Sequence, residues 1–201
     1  MKLVVGLGNP GDEYKNTRHN TGFFVLDALK AKFSIFPPKA DRPMVDNFQF
    51  SKKFNTDILQ IGDLVLAKPV TFMNQSGGAV KTLARHFLLD ANQLDARRLY
   101  VIHDDLDIKL GDYKIQLGRG PKEHRGVTSV EMALGSKDFW RVRIGVDNRQ
   151  ATSDKRQVTS GDEYVLSNFP KEEKKVIDRV INKITTELVR LLDKKTEDLT
   201  N

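Results

Sequence analysis

Gly6-Leu7-Gly8-Asn9-Pro10-Gly11-Asp12-Glu13-Tyr14-Lys15-Asn16-Thr17-Arg18-His19-Asn20-Thr21-Gly22 is the stretch on which the reading of the fold turns. It follows directly on Lys2-Leu3-Val4-Val5, a short apolar run that reads as a buried strand. Gly6, Gly8, Gly11 and Pro10 then break regular structure, and helical periodicity starts only at Thr21–Gly22. A strand that empties into a polar, glycine-shaped loop is where α/β proteins hold their ligands.

Outward from this loop, Gly22 to Phe33 repeats apolar residues at three and four, the pattern of an amphipathic helix. Residues 34–46, with Pro37, Pro38 and Pro43, read as an irregular connection. Phe48–Phe50 and Asp57–Ile61 alternate like strands, and Gly62-Asp63 reads as a hairpin turn into Leu64–Pro69. A polar corner at Thr71–Gly78 leads to a helix expected over Ala79–Leu89. Leu99–Ile102 is a strand ending in His103-Asp104-Asp105-Leu106-Asp107, and Tyr113–Leu117 alternates. Gly118–Gly126 is a second basic loop, followed by a short helix over Thr128–Leu134 and a strand over Phe139–Val146. Residues 149–162 read as an irregular loop, and 170–195 as a C-terminal amphipathic helix. With no repeat and no linker, residues 1–201 read as a single α/β domain, a twisted mixed β-sheet flanked by helices.

A net charge of +6 and a pI near 9.4 favour an anionic partner, nucleic acid foremost. The absence of cysteine excludes disulfides and thiolate metal sites. No apolar run is long enough for a membrane span, and a strand starting at residue 2 leaves no room for a leader, so a cytoplasmic protein is expected.

Gly6-x-Gly8-x-x-Gly11 matches the dinucleotide fingerprint in letters only. That motif requires a helix opening at once on the pyrophosphate, whereas Asp12–Asn20 intervenes, and Asp27 falls inside a helix rather than after a second strand. Nucleophile-elbow and zinc-protease motifs are absent. The carboxylates at 104–107 read as a solvated strand end, with a hard-cation site as the alternative. Among four histidines, His86 and His103 read as structural or surface residues. His19 lies between Arg18 and Asn20 in the loop, where a lone histidine reads as polar surface or, as the alternative, as a candidate general base.

Several motifs together resemble the bacterial-type peptidyl-tRNA hydrolase family: Gly6-Leu7-Gly8-Asn9-Pro10-Gly11, Glu13-Tyr14, Thr17-Arg18-His19-Asn20 and Gly22. Pro69-x-Thr71-Phe72-Met73-Asn74-x-Ser76-Gly77, His103-Asp104-x-Leu106-Asp107 and Arg141-x-Arg143-Ile144-Gly145 extend the likeness in the family's order, thinning after about Asp147. The resemblance implies hydrolysis of the ester between a peptide and the 3′ ribose of tRNA, without metal or organic cofactor, by a monomer. It places the catalytic base on His19 and the carboxylate that orients it on Asp104; spacing alone leaves Asp104, Asp105 and Asp107 equivalent. Asn9 and Asn74 match residues positioning substrate and water, and Tyr14 and Met73 match pocket-lining residues, with core packing as their alternative. Arg143 matches one member of a cationic pair on the tRNA 5′ phosphate. The other, usually lysine, falls on Gln116, with Lys114 on the same strand face as a substitute. In the second loop His124 and Gly126 match the family, but Arg125 stands where an asparagine is usual; arginine only donates, so substrate affinity is expected to change while activity survives. The competing expectation is an RNA-binding protein on the same scaffold without hydrolysis.

Overall fold

Leu3 and Val5 of strand β1 (Lys2–Gly6) point to one face of the sheet and Val4 to the other, and all are fully buried. A strand buried on both faces must be central and covered by helices on both sides. A computed structural model of the chain describes residues 1–35, 47–90, 93–149 and 160–193. In it β1 is the middle of a seven-stranded sheet of order β2-β3-β4-β1-β7-β9-β8. The other strands are β2 (Gln49–Ser51), β3 (Thr56–Ile61), β4 (Leu64–Pro69), β7 (Leu99–Lys109), β8 (Tyr113–Leu117) and β9 (Trp140–Asp147). A separate two-stranded ribbon holds β5 (Leu89–Asp90) and β6 (Gln93–Leu94). β4, β1, β7 and β9 run parallel, and β2–β3–β4 and β8–β9 are antiparallel, so the mixed sheet expected from sequence is present.

Helices α1 (Thr21–Ile35) and α5 (Lys171–Asp193) cover one face over a core of Val4, Leu29, Tyr100, Ile102, Ile144 and Ile181. On the other face α2 (Ser76–Phe87) and α3 (Arg125–Leu134) cover Leu3, Val5, Leu83, Val101 and Val130. The chain leaves β1 by α1 on one face, and returns to the other side of β1 through α2 on the opposite face. The crevice at the carboxyl ends of β1, β4 and β7 is therefore a topological switch point, where open α/β sheets bind ligands.

The opening glycines serve packing. A Cβ on Gly6 would lie 2.4 Å from the carbonyl oxygen of Gly22, and one on Gly22 would lie 2.4 Å from that of Leu7 and 2.6 Å from that of Ile102. The start of α1 is thus pressed directly against the ends of β1 and β7, so Gly6 serves this contact, while Gly11 serves a turn at φ 109°.

Several boundaries differ from those read in the sequence. β7 runs on to Lys109 instead of stopping at Ile102, and Asp104 and Asp105, expected to be solvated, are each 1% exposed. α2 opens at Ser76, before two glycines whose low helix propensity hides the start; Gly77 is needed because its Cα faces Ser129 of α3. α3 begins at Arg125, not Thr128, because His124 caps it with its ring: Nδ1 accepts from the backbone of Gly126 at 3.1 Å and Val127 at 3.2 Å. Histidine is not a residue by which N-caps are usually recognised. A helix, α4 (Gly161–Leu166), occupies the end of the span expected to be irregular; the capping box between Ser160 and Glu163 was its readable signal. Of the two loops read from sequence, 36–46 and 150–159 lie outside the described residues, as do 194–195 of the C-terminal helix. Among the described residues no helix is long and apolar enough to cross a membrane.

Candidate active site

The loop after β1 is organised by two single 3-10 turns, Asp12–Tyr14 and Arg18–Asn20, so His19 sits in a short turn and not in irregular chain. Asn20 fastens this turn back to the strand end. Its Oδ1 accepts from the Asn9 backbone at 2.9 Å, and its Nδ2 donates to the Asn9 carbonyl at 3.0 Å. His19, 8% exposed, then turns its ring toward β7, where its Nδ1 lies 2.8 Å from Asp104 Oδ1.

His124 reaches the same oxygen from the other side, its Nε2 lying 3.0 Å from Asp104 Oδ1. Because His124 Nδ1 already accepts two backbone N–H bonds, Nε2 must carry the proton and donate to the carboxylate. Asp104 is fully ionised under these donors: burial opposes its charge, but the two imidazoles hold it far below the usual carboxylate range. His19 Nδ1–H donates to this carboxylate, which leaves the Nε2 lone pair for a substrate or water. Burial drives the His19 pKa down, and the charge and hydrogen bond of Asp104 more than reverse this, so it lies above its ordinary value. Of the three acidic candidates in β7, Asp104 is the one that meets His19. Asp105, on the opposite strand face, pairs with Arg143 at 2.7 Å, and Asp107 accepts from the Lys122 backbone at 2.8 Å.

His103 completes a chain of rings, its centroid 4.9 Å from that of His124, itself 5.0 Å from that of His19. It is wholly buried, and its Nδ1 donates to the Asp104 carbonyl at 2.6 Å. Burial, then the neighbouring His124, pushes its pKa well below the ordinary value, so it stays neutral. His19, Asp104 and His124 form the one group among the described residues whose ligand atoms converge within 4.8 Å as a metal site would require. The bond directions given above point both imidazole protons at one carboxylate oxygen, and this accounts for the convergence without an ion.

Beside His19 opens a cleft of about 340 Å³ lined by Asn9, Tyr14, Met73, Asn74, Arg125 and the α4 residues Val165 and Leu166, among others. The 3-10 turn Met73–Gln75 after β4 forms one wall. Asn9 Oδ1 accepts from the Met73 backbone at 2.8 Å, so the Asn9 amide faces the cleft with its donor end. Met73 is 4% exposed and packs where a Cβ on Gly126 would strike its Sδ at 2.3 Å, so it serves as both core and wall. Tyr14 stands edge-on to the half-exposed Phe72, with ring centroids 6.5 Å apart. Arg125 lies on the rim and pairs with Asp162 of α4 across the mouth. Phe72, Asp162, Val165 and Leu166 were not anticipated as site residues; for the last three, recognition of the Ser160–Glu163 capping box was the missing signal.

The two phosphate candidates stand apart from the cleft at the β8 edge. Lys114 is exposed and faces Arg143 in register. Arg143 is buried, donating from Nε to Asp105 and from NH1 to Gln116 Oε1 at 2.9 Å, with Gly120 lying against its guanidinium.

An imidazole with one nitrogen held by a buried carboxylate and the other facing a cleft at strand ends defines an α/β protein equipped for general-base chemistry. The family model described as peptidyl-tRNA hydrolase matches residues 3–201. The peptidyl-tRNA hydrolase of Aquifex aeolicus is 38% identical over 195 residues, covering 96% of this chain and 91% of that protein. That of Rickettsia canadensis is 33% identical over 205 residues, covering 100% and 98%. The crystal structure of peptidyl-tRNA hydrolase from Acinetobacter baumannii superposes with a TM-score of 0.72 at 28% identity, over 92% of this chain and 85% of that one. The chain belongs to the peptidyl-tRNA hydrolase family.

Proposed function

We propose that this protein hydrolyses the ester joining a peptide to the 3′ ribose of tRNA, with His19 as general base and Asp104 as its orienting carboxylate. Water gives a proton to His19 Nε2 as its oxygen adds to the ester carbonyl. The tetrahedral intermediate then expels the ribose 3′ oxygen, which takes that proton from the imidazolium. The products are a free tRNA hydroxyl and a peptide carboxylic acid, which loses the water's second proton to solvent and leaves as the carboxylate. Asp104 keeps the proton on Nδ1 in the resting state and stabilises the imidazolium in between.

Asn9, with its oxygen held by Met73, offers only N–H to the substrate and so suits the developing oxyanion. Asn74, exposed on the facing turn, is assigned to the terminal nucleotide and water, while Tyr14 and Met73 line the pocket. Arg125, freed from Asp162, binds a phosphate or carbonyl of the acceptor end. Lys114, with Arg143 behind it, supplies positive charge for the tRNA phosphates. No step is assigned to a metal or cofactor, and the protein is taken to act as a cytoplasmic monomer.

The 2.8 Å bond between His19 Nδ1 and Asp104 Oδ1 at the edge of the cleft carries this reading. The test is cleavage of peptidyl-tRNA by the wild type, His19→Ala and Arg125→Asn. Wild type should cleave at neutral pH, His19→Ala should lose cleavage yet retain tRNA binding, and Arg125→Asn should chiefly change KM. A wild type that binds tRNA without cleaving it is a non-catalytic RNA-binding protein, and cleavage unchanged in His19→Ala removes the general-base assignment.

A further inference from the structure

Arg18, the residue before His19, takes no part in the chemistry above, yet it is 3% exposed and more densely bonded than any group in the site. Its guanidinium lies 4.1 Å over the Tyr164 ring and 5.0 Å from that of Phe169. NH1 donates to the carbonyl oxygens of Ser167 at 3.1 Å and Asn168 at 2.9 Å, and to Ser167 Oγ at 2.6 Å. NH2 pairs with Glu173 of α5 at 2.6 Å, and Glu173 also accepts from Asn148 at 3.1 Å. The Arg18 backbone N–H donates to the Ser167 carbonyl at 3.2 Å, and Thr17 bridges to Asn168. These carbonyls close the C-terminal end of α4, where helix groups otherwise lack partners and a cation is favoured.

We propose that Arg18 is a positioning residue that sets the width of the substrate cleft, by locking the α4–α5 turn to the 3-10 turn that carries His19. α4 supplies the wall formed by Val165 and Leu166, and the facing wall, Met73–Gln75, is fixed separately through Asn9. One buried guanidinium thus joins the turn that carries the base to the end of the helix that forms the wall, while the Tyr164 hydroxyl, donating to the Val146 carbonyl at 3.0 Å, anchors that helix to the sheet. The inference rests on the hydrolase reading above.

Lysine keeps the charge opposite Glu173 but cannot serve a carboxylate and several carbonyl-side acceptors in fixed directions. In Arg18→Lys the α4 wall drifts, while Asp104, Asn20 and Asn9 still hold His19. The expected result is a KM for peptidyl-tRNA raised about tenfold with kcat within about twofold, since a misplaced wall weakens substrate positioning. The His19 ring should still titrate above its ordinary value, because Asp104, the main influence raising it, is untouched, and movement of Asp162 with α4 alters only a lesser contribution. Glu173→Gln, which keeps the shape and removes the ion pair, should raise KM about threefold in the same sense, and is read in place of the lysine variant should that one not fold. A lowered melting temperature with KM unchanged overturns the inference, as does a fall in kcat with a His19 titration no longer above its ordinary value. A wild type without cleavage activity sinks the hydrolase reading itself; an active wild type with variants of unaltered KM sinks only the role of Arg18.

Discussion

Replacing Asp104 by asparagine separates charge from geometry at this site in a way the structure makes specific. Both imidazole protons are directed at one oxygen, Oδ1, at 2.8 Å from His19 and 3.0 Å from His124. An asparagine could place either its oxygen or its NH2 there. His124 decides, because its Nδ1 is committed to the Gly126 and Val127 backbone and its Nε2 can only donate. The amide oxygen must therefore occupy the Oδ1 position, and His19 keeps its proton on Nδ1. What is lost is the negative charge alone. A neighbouring opposite charge raises an imidazole pKa by roughly 1–3 units, or about 1.4–4 kcal/mol, and the same free energy stabilises the imidazolium formed during attack. Single-turnover cleavage of peptidyl-tRNA should accordingly slow by about 10- to 1,000-fold, short of the roughly 10⁴-fold loss that follows when the wrong tautomer is enforced. KM should hold, since Asp104 is too buried to touch substrate.

The pH dependence carries the sign. In wild type the base must be neutral, so kcat/KM should rise with pH through a limb above 6.5, because the His19 pKa is raised. In Asp104→Asn burial is left as the dominant influence, and that limb should move below 6.5. Cleavage across pH 5–9, with nitrogen NMR of the His19 ring, reads both quantities. A limb that stays in place, or a ring protonated on Nε2, would refute the reasoning; a double substitution with His124→Ala should release the amide and deepen the loss.

Three further outcomes are expected. His103 is neutral in the fold with its pKa depressed, so it contributes stability present above pH 6.5 and lost as pH falls below it, about 1.4 kcal/mol per unit for one proton; His103→Asn should flatten that slope in urea unfolding, whereas the raised His19 pKa acts oppositely, stabilising fully below 6.5 and fading as pH rises through its folded value. Gly22→Ala should cost about 3 kcal/mol or more because its Cβ meets three backbone atoms, while Gly78→Ala, with nothing within 4 Å, should gain up to about 1 kcal/mol of helix stability, both read by chemical denaturation. Lys114→Ala should weaken tRNA binding and lower the slope of log K against log salt by about 0.7–0.9, the signature of one phosphate contact; an unaltered slope places Lys114 outside the interface.

The sheet was readable because its central strands are apolar on both faces, and the antiparallel edge because Gly62-Asp63 announces a hairpin. Where the reading slipped, the signal was carried by an unusual residue or by a distant contact. α3 starts early because a histidine caps it, and α2 starts in glycines kept for its crossing with α3. The acidic run in β7 looked solvated because an exposed strand end and a buried one differ only in what packs against them.

Amino-acid order by itself determined the α/β class, the strand–loop–helix opening and, through the family motifs, His19 as the candidate base, since these depend on local periodicity and on residues a few positions apart. Tertiary structure showed the contact between that base and Asp104, which the motifs implied and spacing alone left open, and it alone decided that His124 fixes the proton positions between them and that Arg18 ties the loop to a wall some 150 residues away in the chain, its bond to the Asn168 carbonyl spanning a separation of 150. Hydrogen-bond direction and burial are properties of groups brought together from separate elements, and no local stretch of sequence contains them.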